Sequence, residues 1–292
     1  MYPDGHFGKH HGMTSNQNTL EVPSFELNDG NNIPQLGFGV FQVDPEETTE
    51  AVLHALQTGY RLIDTAAMYG NEAEVAQAIA RSGLERNEVF ITTKVWNDAQ
   101  GRDRTGRAFE RSLERLSTDW VDLYLIHWPA PAQDTYVETW ETMCRLHEEG
   151  RARSIGVSNF LPEHIERIVE ATGVAPAVNQ VELHPWLQQR ELRDFHQERH
   201  IVTESWSPLG RGALLDDQVV EDVAAQTGRT PAQVLLRWNV QLGCVVIPRS
   251  VRPARIEENA QIFDFELDQD QMEAITRLDR EQRIGPDPAR FG

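Results

Sequence analysis

Cysteine is nearly absent from this chain of 292 residues. Its two cysteines, Cys144 and Cys244, fall in segments that we predict to be a helix and a buried strand. A single pair of cysteines does not make the disulfide framework that is typical of small secreted domains. We therefore expect two reduced thiols in the core of a cytoplasmic protein.

Long apolar runs are also missing. No stretch approaches the roughly 20 apolar residues that a membrane-spanning helix requires. Residues 1–20 lack the apolar central region that defines a secretory signal, and we expect them to be a disordered N-terminal arm. Metal binding by the histidines of this arm, His6, His10 and His11, is the alternative.

Positive charge is scarce relative to negative charge, and the formal net charge is −19. Because a polyanion repels nucleic acid and anionic lipid, we expect neither as a general partner. Hydrophobic residues make up 39% of the chain and charged residues 25%, close to the averages of folded globular proteins. The composition therefore predicts a folded protein that binds neither nucleic acid nor membrane.

Short apolar runs, by contrast, recur eight times and alternate with amphipathic helical segments. The runs are LGFGVF, RLIDTAA, VFITTKVW, VDLYLIHW, ARSIGVSN, AVNQVELH, IVTESWSP and CVVIPRS. Such continuous apolar strands are typical of a parallel sheet that is buried on both faces, and about 250 residues is the usual length of an α/β barrel. We therefore predict that residues 21–292 form a single (β/α)8 TIM barrel domain.

Two additions to the barrel are expected. Residues 24–39 read as an N-terminal β-hairpin with Asp29 and Gly30 at its turn, and residues 212–228 and 268–281 as two extra helices. The alternative fold is an open doubly wound sheet. It is expected to carry a glycine-rich phosphate loop after its first strand, and no G-x-G-x-x-G occurs there.

Polar side chains stand at or just after the carboxyl ends of three successive predicted strands. Asp64 ends the second strand, and Tyr69 follows it in a loop, whereas Lys94 and His127 end the third and fourth strands. The carboxyl ends of barrel strands meet at one mouth, where barrel active sites lie. Each residue alone could be a cap, a rim residue or a core residue, but the four together favour a catalytic site.

Lysine is so rare that its position is informative. The chain has 25 arginines and two lysines, Lys9 in the arm and Lys94 in a predicted strand. A site that needs only positive charge accepts arginine, whereas a compact ammonium beside another group requires lysine. Such an ammonium lowers the pKa of a neighbouring phenol, which is about 10 in free tyrosine, and Asp64 would balance its charge. We therefore predict that Tyr69 donates a proton and that His127 hydrogen-bonds the acceptor oxygen.

Seven segments resemble the aldo-keto reductase family and occur in the family's order: GYRLIDTAAMYGNE, ITTKVW, LYLIHWP, IGVSNF, NQVELHP, SWSPLG and VIPRSVRPARIEEN. Many members have tyrosine where SWSPLG has its tryptophan, and a tryptophan there resembles the prokaryotic branch of the family that includes 2,5-diketo-D-gluconate reductases. The resemblance implies an NADP-dependent oxidoreductase that uses NADPH to reduce small aldehydes and ketones, such as dicarbonyls or keto-sugar acids. It also implies a monomer with the catalytic tetrad Asp64, Tyr69, Lys94 and His127, in which Tyr69 is the general acid.

The same resemblance implies which residues bind NADPH. Ser158, Asn159 and Gln180 are expected to hold the nicotinamide carboxamide, and Trp206 is expected to stack on the nicotinamide ring. The contacts expected along the pyrophosphate, the 2′-phosphate and the adenine are Ser207, Leu209, Arg249, Ser250, Val251, Arg252, Arg255, Glu258 and Asn259. The three arginines of this set follow the eighth strand, where barrels often bind phosphate, and independently indicate an anion site in an acidic chain. Many members have lysine at the position of Arg249, a change that keeps the positive charge.

Family position further implies a substrate pocket with Phe41, Trp96 and Trp128 as walls and the C-terminal tail as a mobile rim. We expect no metal in this site. Two other interpretations stay open. A metal-dependent hydrolase could use His127 and His184, although their spacing resembles no metal cage. A nucleotide sensor would bind the cofactor without turnover.

Overall fold

The computed structural model describes residues 20–292, and eight parallel strands form a nearly closed barrel in chain order. The barrel strands are β3 (Gly37–Gly39), β4 (Leu62–Asp64), β5 (Phe90–Val95), β6 (Val121–Ile126), β7 (Ala152–Ser158), β8 (Val178–Glu182), β9 (Val202–Trp206) and β10 (Val245–Val246); a hairpin of β1 (Ser24–Glu26) and β2 (Asn32–Pro34) precedes them. A parallel bridge between Leu36 and Val246 joins the last strand to the first. The predicted TIM barrel and hairpin are therefore confirmed.

The barrel strands are buried on both faces along most of their length, which is why their sequences are continuously apolar. Inside the barrel, Leu62, Leu123 and Leu125 pack against Val178 and Val245. The residues between them point outward and pack against the surrounding helices in a larger apolar cluster. Burying a side chain of this size contributes roughly 1.5–3 kcal/mol, so both layers stabilise the sheet.

Ten α-helices surround the barrel within the described residues. They are α1 (Pro45–Thr58), α2 (Glu72–Ser82), α3 (Arg102–Leu116), α4 (Tyr136–Glu148), α5 (Pro162–Thr172), α6 (Arg190–Glu198), α7 (Gln218–Thr227), α8 (Pro231–Gln241), α9 (Pro253–Ala260) and α10 (Gln269–Thr276). The two predicted extra helices are α7, which is inserted before α8, and α10, which follows the barrel. Thr230 and Gln233 form a reciprocal capping box at the start of α8, and this box explains why the helix begins there.

The hairpin lies at the amino end of the barrel. Gly30 closes its turn with a backbone hydrogen bond to Leu27 O (3.0 Å), and Leu27 belongs to the apolar cluster inside the barrel. Asn28 Nδ2 donates to Pro176 O (2.9 Å), just before β8 begins. Because the hairpin covers the amino end, the carboxyl end of the strands is the end that can admit a ligand.

The prediction of a disordered arm for residues 1–20 falls outside the described residues except for Leu20, and it stays a prediction. Leu20 itself is half-buried and packs against the large apolar cluster beside the helices. Among the helices of residues 20–292, none combines the length and the apolar character needed to cross a membrane.

Candidate active site

The carboxyl ends of β4, β5 and β6 bring the four predicted catalytic residues to one mouth of the barrel. Asp64 is the last residue of β4, and Tyr69 ends a short 3-10 helix that follows it. Lys94 lies one residue before the end of β5, and His127 directly follows β6. Parallel strands in register place these four positions side by side, although up to 63 residues separate them in the chain.

The ammonium of Lys94 lies at the centre of this group and is fully buried. Its Nζ donates to both carboxylate oxygens of Asp64 (2.7 and 2.8 Å) and to the backbone oxygen of Thr65 (2.9 Å). The same nitrogen lies 3.3 Å from the phenol oxygen of Tyr69. A buried charge is tolerated only when it is paired and hydrogen-bonded, and Asp64 provides both for Lys94.

Burial and charge act in opposite directions on the phenol. Burial raises the pKa of Tyr69, Lys94 lowers it and Asp64 raises it, so that the pKa reaches about 12. The lowered pKa expected from the sequence is therefore wrong for the protein alone, because burial outweighs the ammonium. Burial also opposes the charge of Lys94, but Asp64, Tyr69 and Glu204 together outweigh it, and the pKa of Lys94 is raised. Phenol and ammonium both carry their protons at neutral pH.

His127 is a neutral imidazole at the edge of this group. Burial, with Lys94 as the second cause, holds the pKa of His127 well below its usual value. Its ring lies 5.5 Å from that of Tyr69 and 4.9 Å from that of Trp96, measured between ring centroids. A neutral imidazole keeps one N–H that can donate to an oxygen beside the phenol.

A cavity of ≈ 870 Å³ opens above the group and is lined by Asp64, Tyr69 and His127. Lys94 does not line the cavity itself, but it contacts Tyr69, which does. The cavity is large enough for an extended ligand, since most ligand sites in proteins have volumes of about 300–1,000 Å³.

Side chains expected to hold a nicotinamide line one end of this cavity: Ser158, Asn159, Gln180 and Trp206. Trp206 Nε1 donates to Asn159 Oδ1 (2.8 Å), and Asn159 Nδ2 donates to His127 O (3.0 Å). Ser158 Oγ donates to Gln180 O (2.8 Å). These bonds fix the tryptophan ring and the two amides relative to the predicted catalytic residues.

The other end of the cavity carries positive charge. Arg249 and Arg255 line it, as do Ser207 and Leu209. Arg249 Nη1 donates to the backbone oxygens of Phe41 (3.2 Å) and Gln42 (2.8 Å). An aromatic and amide surface at one end and two guanidinium groups at the other fit a ligand with a flat amide-bearing ring and an anionic tail.

Five further residues expected at the cofactor do not line the cavity. Val251 and Arg252 are exposed beside it, and Ser250 Oγ accepts a hydrogen bond from Arg252 N (3.1 Å). The carboxylate of Glu258 accepts a hydrogen bond from the hydroxyl of Thr230 (2.8 Å), and Asn259 is buried in α9. Their roles stay predictions.

Aromatic side chains form the outer walls of the cavity, as predicted for Phe41, Trp96 and Trp128. Phe41 lies 5.0 Å from Tyr69 between ring centroids. The C-terminal tail contributes Phe291, whose ring lies 4.6 Å from that of Trp128 and 6.3 Å from that of Trp96. The tail therefore forms a wall of the pocket.

Two buried carboxylates near the site were missed by the sequence reasoning. Glu204 lies in β9 with no exposure, and its Oε2 accepts a hydrogen bond from Gln180 (2.9 Å). Glu182, at the end of β8, accepts hydrogen bonds from His184 Nε2 (2.9 Å) and from the backbone N–H of Gly285 (2.9 Å). A carboxylate inside a strand predicted to be buried on both faces was the available signal.

His127 and His184, the two histidines of the hydrolase interpretation, have different surroundings. His184 pairs with Glu182, whereas His127 faces Tyr69 and Trp96. Within residues 20–292, no group of three or more His, Cys, Asp or Glu side chains is arranged to hold a metal ion.

Comparisons with known proteins show the family. The aldo/keto reductase family model matches residues 35–280. An aldo-keto reductase of Mycobacterium sp. strain KMS is 55% identical over 272 residues, which cover 93% of this chain and 99% of the relative. The methylglyoxal reductase DkgA of Escherichia coli is 49% identical over 269 residues, covering 91% and 97%. A crystal structure of a Gox0644 mutant in complex with NADPH superposes with a TM-score of 0.89 at 50% identity, covering 92% of this chain and 98% of that one.

Proposed function

Because the chain belongs to the aldo/keto reductase family and is an NADPH-dependent carbonyl reductase, we propose that Tyr69 donates the proton that its reaction consumes. The observation that carries this proposal is the phenol of Tyr69 lying 3.3 Å from the buried ammonium of Lys94 on the wall of the cavity. Among residues 20–292, no other tyrosine lines that cavity. The carbonyl oxygen becomes negative as the carbonyl carbon accepts hydride. A proton donor at that oxygen stabilises the product.

The other three residues of the tetrad support this proton transfer. Lys94 opposes the increase in the pKa of Tyr69 that burial causes, and so makes the phenol a better acid than burial alone would allow. Asp64 holds Lys94 charged and in position through two hydrogen bonds. His127, being neutral, can donate its N–H to the carbonyl oxygen and orient it toward Tyr69.

NADPH, when bound, supplies the hydride that reduces the carbonyl carbon. Ser158, Asn159 and Gln180 would hold its carboxamide, with Trp206 against its ring, because these side chains line the cavity, and Asn159 and Gln180 are hydrogen-bonded to His127 and Asp64. Arg249 and Arg255, at the cationic end, would bind the 2′-phosphate. Ser207 and Leu209 would line the path between the two ends, and the remaining predicted contacts are Ser250, Val251, Arg252, Glu258 and Asn259.

Small aldehydes and ketones are the proposed substrates. Phe41, Trp96 and Trp128 leave an apolar pocket that favours small and uncharged carbonyl compounds. The relatives from Escherichia coli and Yersinia pestis are named methylglyoxal reductases and are 49% and 50% identical to this chain. Dicarbonyls of this size are therefore the first compounds to test.

We also propose that residues 21–292 form one domain, since the hairpin and the C-terminal tail both pack on the same barrel. We propose a monomer that acts in the cytoplasm on small molecules, with no nucleic acid or membrane partner. The basis for these proposals is the excess of acidic residues, the reduced thiols of Cys144 and Cys244, and the family itself.

Tyr69→Phe tests the proton donor. We expect turnover of methylglyoxal to fall by roughly 10²–10⁴-fold, because the variant keeps the ring but has no acidic proton. NADPH binding, measured by quenching of tryptophan fluorescence, is expected to stay unchanged. Near-normal turnover in this variant would assign the proton donor to another group.

Arg249→Ala with Arg255→Ala tests the phosphate contacts. We expect the double variant to lose affinity for NADPH far more than for NADH, since only NADPH carries the 2′-phosphate. Each charge-assisted hydrogen bond contributes about 1.5–3 kcal/mol, so the preference is expected to shrink by at least tenfold. Equal losses for both cofactors would contradict this assignment.

A further inference from the structure

Glu204 is a buried carboxylate that the proposed mechanism does not use. It lies in the middle of β9, and no part of its side chain is exposed. An ionisable group in such a position costs folding free energy unless its contacts compensate for the lost hydration. Its contacts therefore need an explanation.

The only hydrogen bond to the Glu204 carboxylate within the described residues comes from Gln180. Gln180 Nε2 donates to Glu204 Oε2 (2.9 Å) and, with its other hydrogen, to Asp64 Oδ2 (2.7 Å). An amide nitrogen has two hydrogens, and both are used by the two carboxyl groups. Gln180 is 2% exposed, so neither bond competes with bulk water.

Two acceptors on one side determine which way the amide of Gln180 faces. Rotating the amide by half a turn would bring Oε1 against two carboxyl oxygens, which repel it. With Nε2 held by Asp64 and Glu204, Oε1 is left without a donor from any residue that the structure describes. Gln180 lines the cavity, and Oε1 is the part of its amide that remains available to a ligand there.

We propose that Glu204 is a positioning residue that, together with Asp64, orients the Gln180 amide so that its oxygen accepts the N–H of the cofactor carboxamide. This inference rests on the proposed function, because it assumes that the nicotinamide lies at this end of the cavity. Glu204 itself touches neither cofactor nor substrate. It acts through Gln180.

The contact with Gln180 does not depend on a negative charge at Glu204. Burial, with Asp64 as the second cause, raises the pKa of Glu204 to about 8, and Gln180 and Lys94 oppose this increase. The charged groups that face Glu204 are thus Asp64 and Lys94. A protonated carboxyl group still has a carbonyl oxygen that can accept the hydrogen of Gln180, so orientation does not require the negative charge.

Two substitutions separate orientation from charge. Glu204→Met removes the acceptor and keeps the approximate size of the side chain, so the Gln180 amide becomes free to rotate. Glu204→Gln keeps an acceptor oxygen at the same reach and removes the charge, and it is the conservative rescue. Thermal melts of both variants report folding, and Glu204→Thr, which is too short to reach Gln180, replaces Glu204→Met if that variant does not fold.

The probes are NADP⁺ and its 3-acetylpyridine analogue, in which a methyl group replaces the carboxamide nitrogen. Titrating each into the protein and following tryptophan fluorescence gives both dissociation constants. We expect the wild type and Glu204→Gln to bind NADP⁺ roughly fivefold to tenfold more tightly than the analogue, the value of one hydrogen bond. In Glu204→Met the two dissociation constants are expected to become nearly equal through weaker binding of NADP⁺.

Each other outcome contradicts one assignment. If Glu204→Met folds and still prefers NADP⁺ as strongly as the wild type, Glu204 does not orient Gln180, while the proposed function stands. If the wild type itself does not distinguish the two probes, the carboxamide is not read by Gln180, and the inference fails together with that part of the proposed site. Loss of preference in Glu204→Gln as well as in Glu204→Met would assign the effect to the charge and overturn the orientation proposal.

Discussion

The charges of individual residues decide what the tetrad can do. Lys94 is one cation among the carboxyl groups of Asp64 and Glu204, all within a barrel interior that excludes water. Burial, with Asp64 as the second cause, raises the pKa of Glu204, whereas Gln180 and Lys94 oppose this increase. Burial, Asp64 and Glu204 all raise the pKa of Tyr69, and Lys94 is the residue that lowers it.

Arg249 joins the cationic end of the cavity to the loop that carries Phe41. Its Nη1 donates to the backbone oxygens of Phe41 and Gln42, and the planar fork leaves its other nitrogens for an anion. We expect Arg249→Lys to keep the charge but to release the loop that carries Phe41. The predicted result is a loss in kcat/KM for the carbonyl substrate of about fivefold to tenfold, the value of one or two weak hydrogen bonds.

Arg255→Lys is the matched control for this prediction. Arg255 lines the same cavity, but its side chain makes no hydrogen bond to the Phe41 loop. Steady-state kinetics of both variants with saturating NADPH measures the difference. If both substitutions reduce kcat/KM equally, the contact between Arg249 and the loop does not shape the substrate pocket.

At the scale of elements, one carboxylate contributes two of the hydrogen bonds that attach the C-terminal tail to the barrel. Glu182 accepts hydrogen bonds from the backbone N–H groups of Ile284 and Gly285 and from His184. Burial raises the pKa of Glu182, but these three donors outweigh it and lower the pKa. Gly285 allows this attachment, because a Cβ there would lie 2.5 Å from the ring of Trp206.

Glu182→Gln is expected to loosen the tail. Its side-chain nitrogen cannot accept a backbone N–H, so at least one of the two tail bonds is lost and Phe291 packs less firmly on Trp128. We expect KM for methylglyoxal to rise about threefold to tenfold. Trypsin is expected to cleave after Arg283 faster than in the wild type.

Glu191→Gln removes an exposed carboxylate on α6 and is the control, with wild-type kinetics and cleavage expected. Unchanged KM and unchanged cleavage in Glu182→Gln would mean that the other contacts of the tail hold it without Glu182.

Elements with continuous apolar sequences were predictable, and their precise ends were not. All eight barrel strands were predicted, yet β10 has only two residues because Pro248 and Arg249 leave the sheet to line the cavity. Helix α3 begins at Arg102, directly after a glycine at φ 105°, a start that the apolar pattern alone does not mark.

The convergence of Asp64, Tyr69, Lys94 and His127 was predictable because they lie at or just after the ends of successive strands, whereas the partners of Glu204 and Glu182 were not predictable. Gln180 lies 24 residues from Glu204, and Gly285 lies 103 residues from Glu182. Strand register and tail packing, rather than local sequence, decide those contacts. The face of β9 that carries Glu204 inward became known only from the register of the sheet.

For the whole molecule, buried titratable groups set how stability depends on pH. Burial lowers the pKa of His127, His164 and His196, so the folded protein keeps these histidines neutral in acid. The unfolded chain takes up protons near pH 6.5, where the folded protein does not, and stability is lost as the pH falls below that value. Glu204 has the opposite effect on stability. The unfolded chain releases this proton near pH 4.5, whereas the raised pKa of about 8 keeps it on the folded protein, so stability is lost as the pH rises through this range.

His196 gives the most direct test of the acid branch. Burial lowers its pKa to about 3, and its two nitrogens face Thr203 Oγ1 and Asn179 Nδ2, both at 2.9 Å. Since the amide of Asn179 donates to Nε2, a second proton on the ring would meet a donor. His196→Gln offers one donor and one acceptor to the same neighbours and cannot be protonated. We expect the free energy of unfolding of the wild type to fall by about 2 to 3 kcal/mol more than that of this variant between pH 7.5 and 4.5, measured by urea unfolding.

His200 is exposed, and His200→Gln is the control. We expect this variant to lose as much stability in acid as the wild type does. An acid loss in His196→Gln equal to that of the wild type would show that the buried ring takes up its proton without unfolding the barrel.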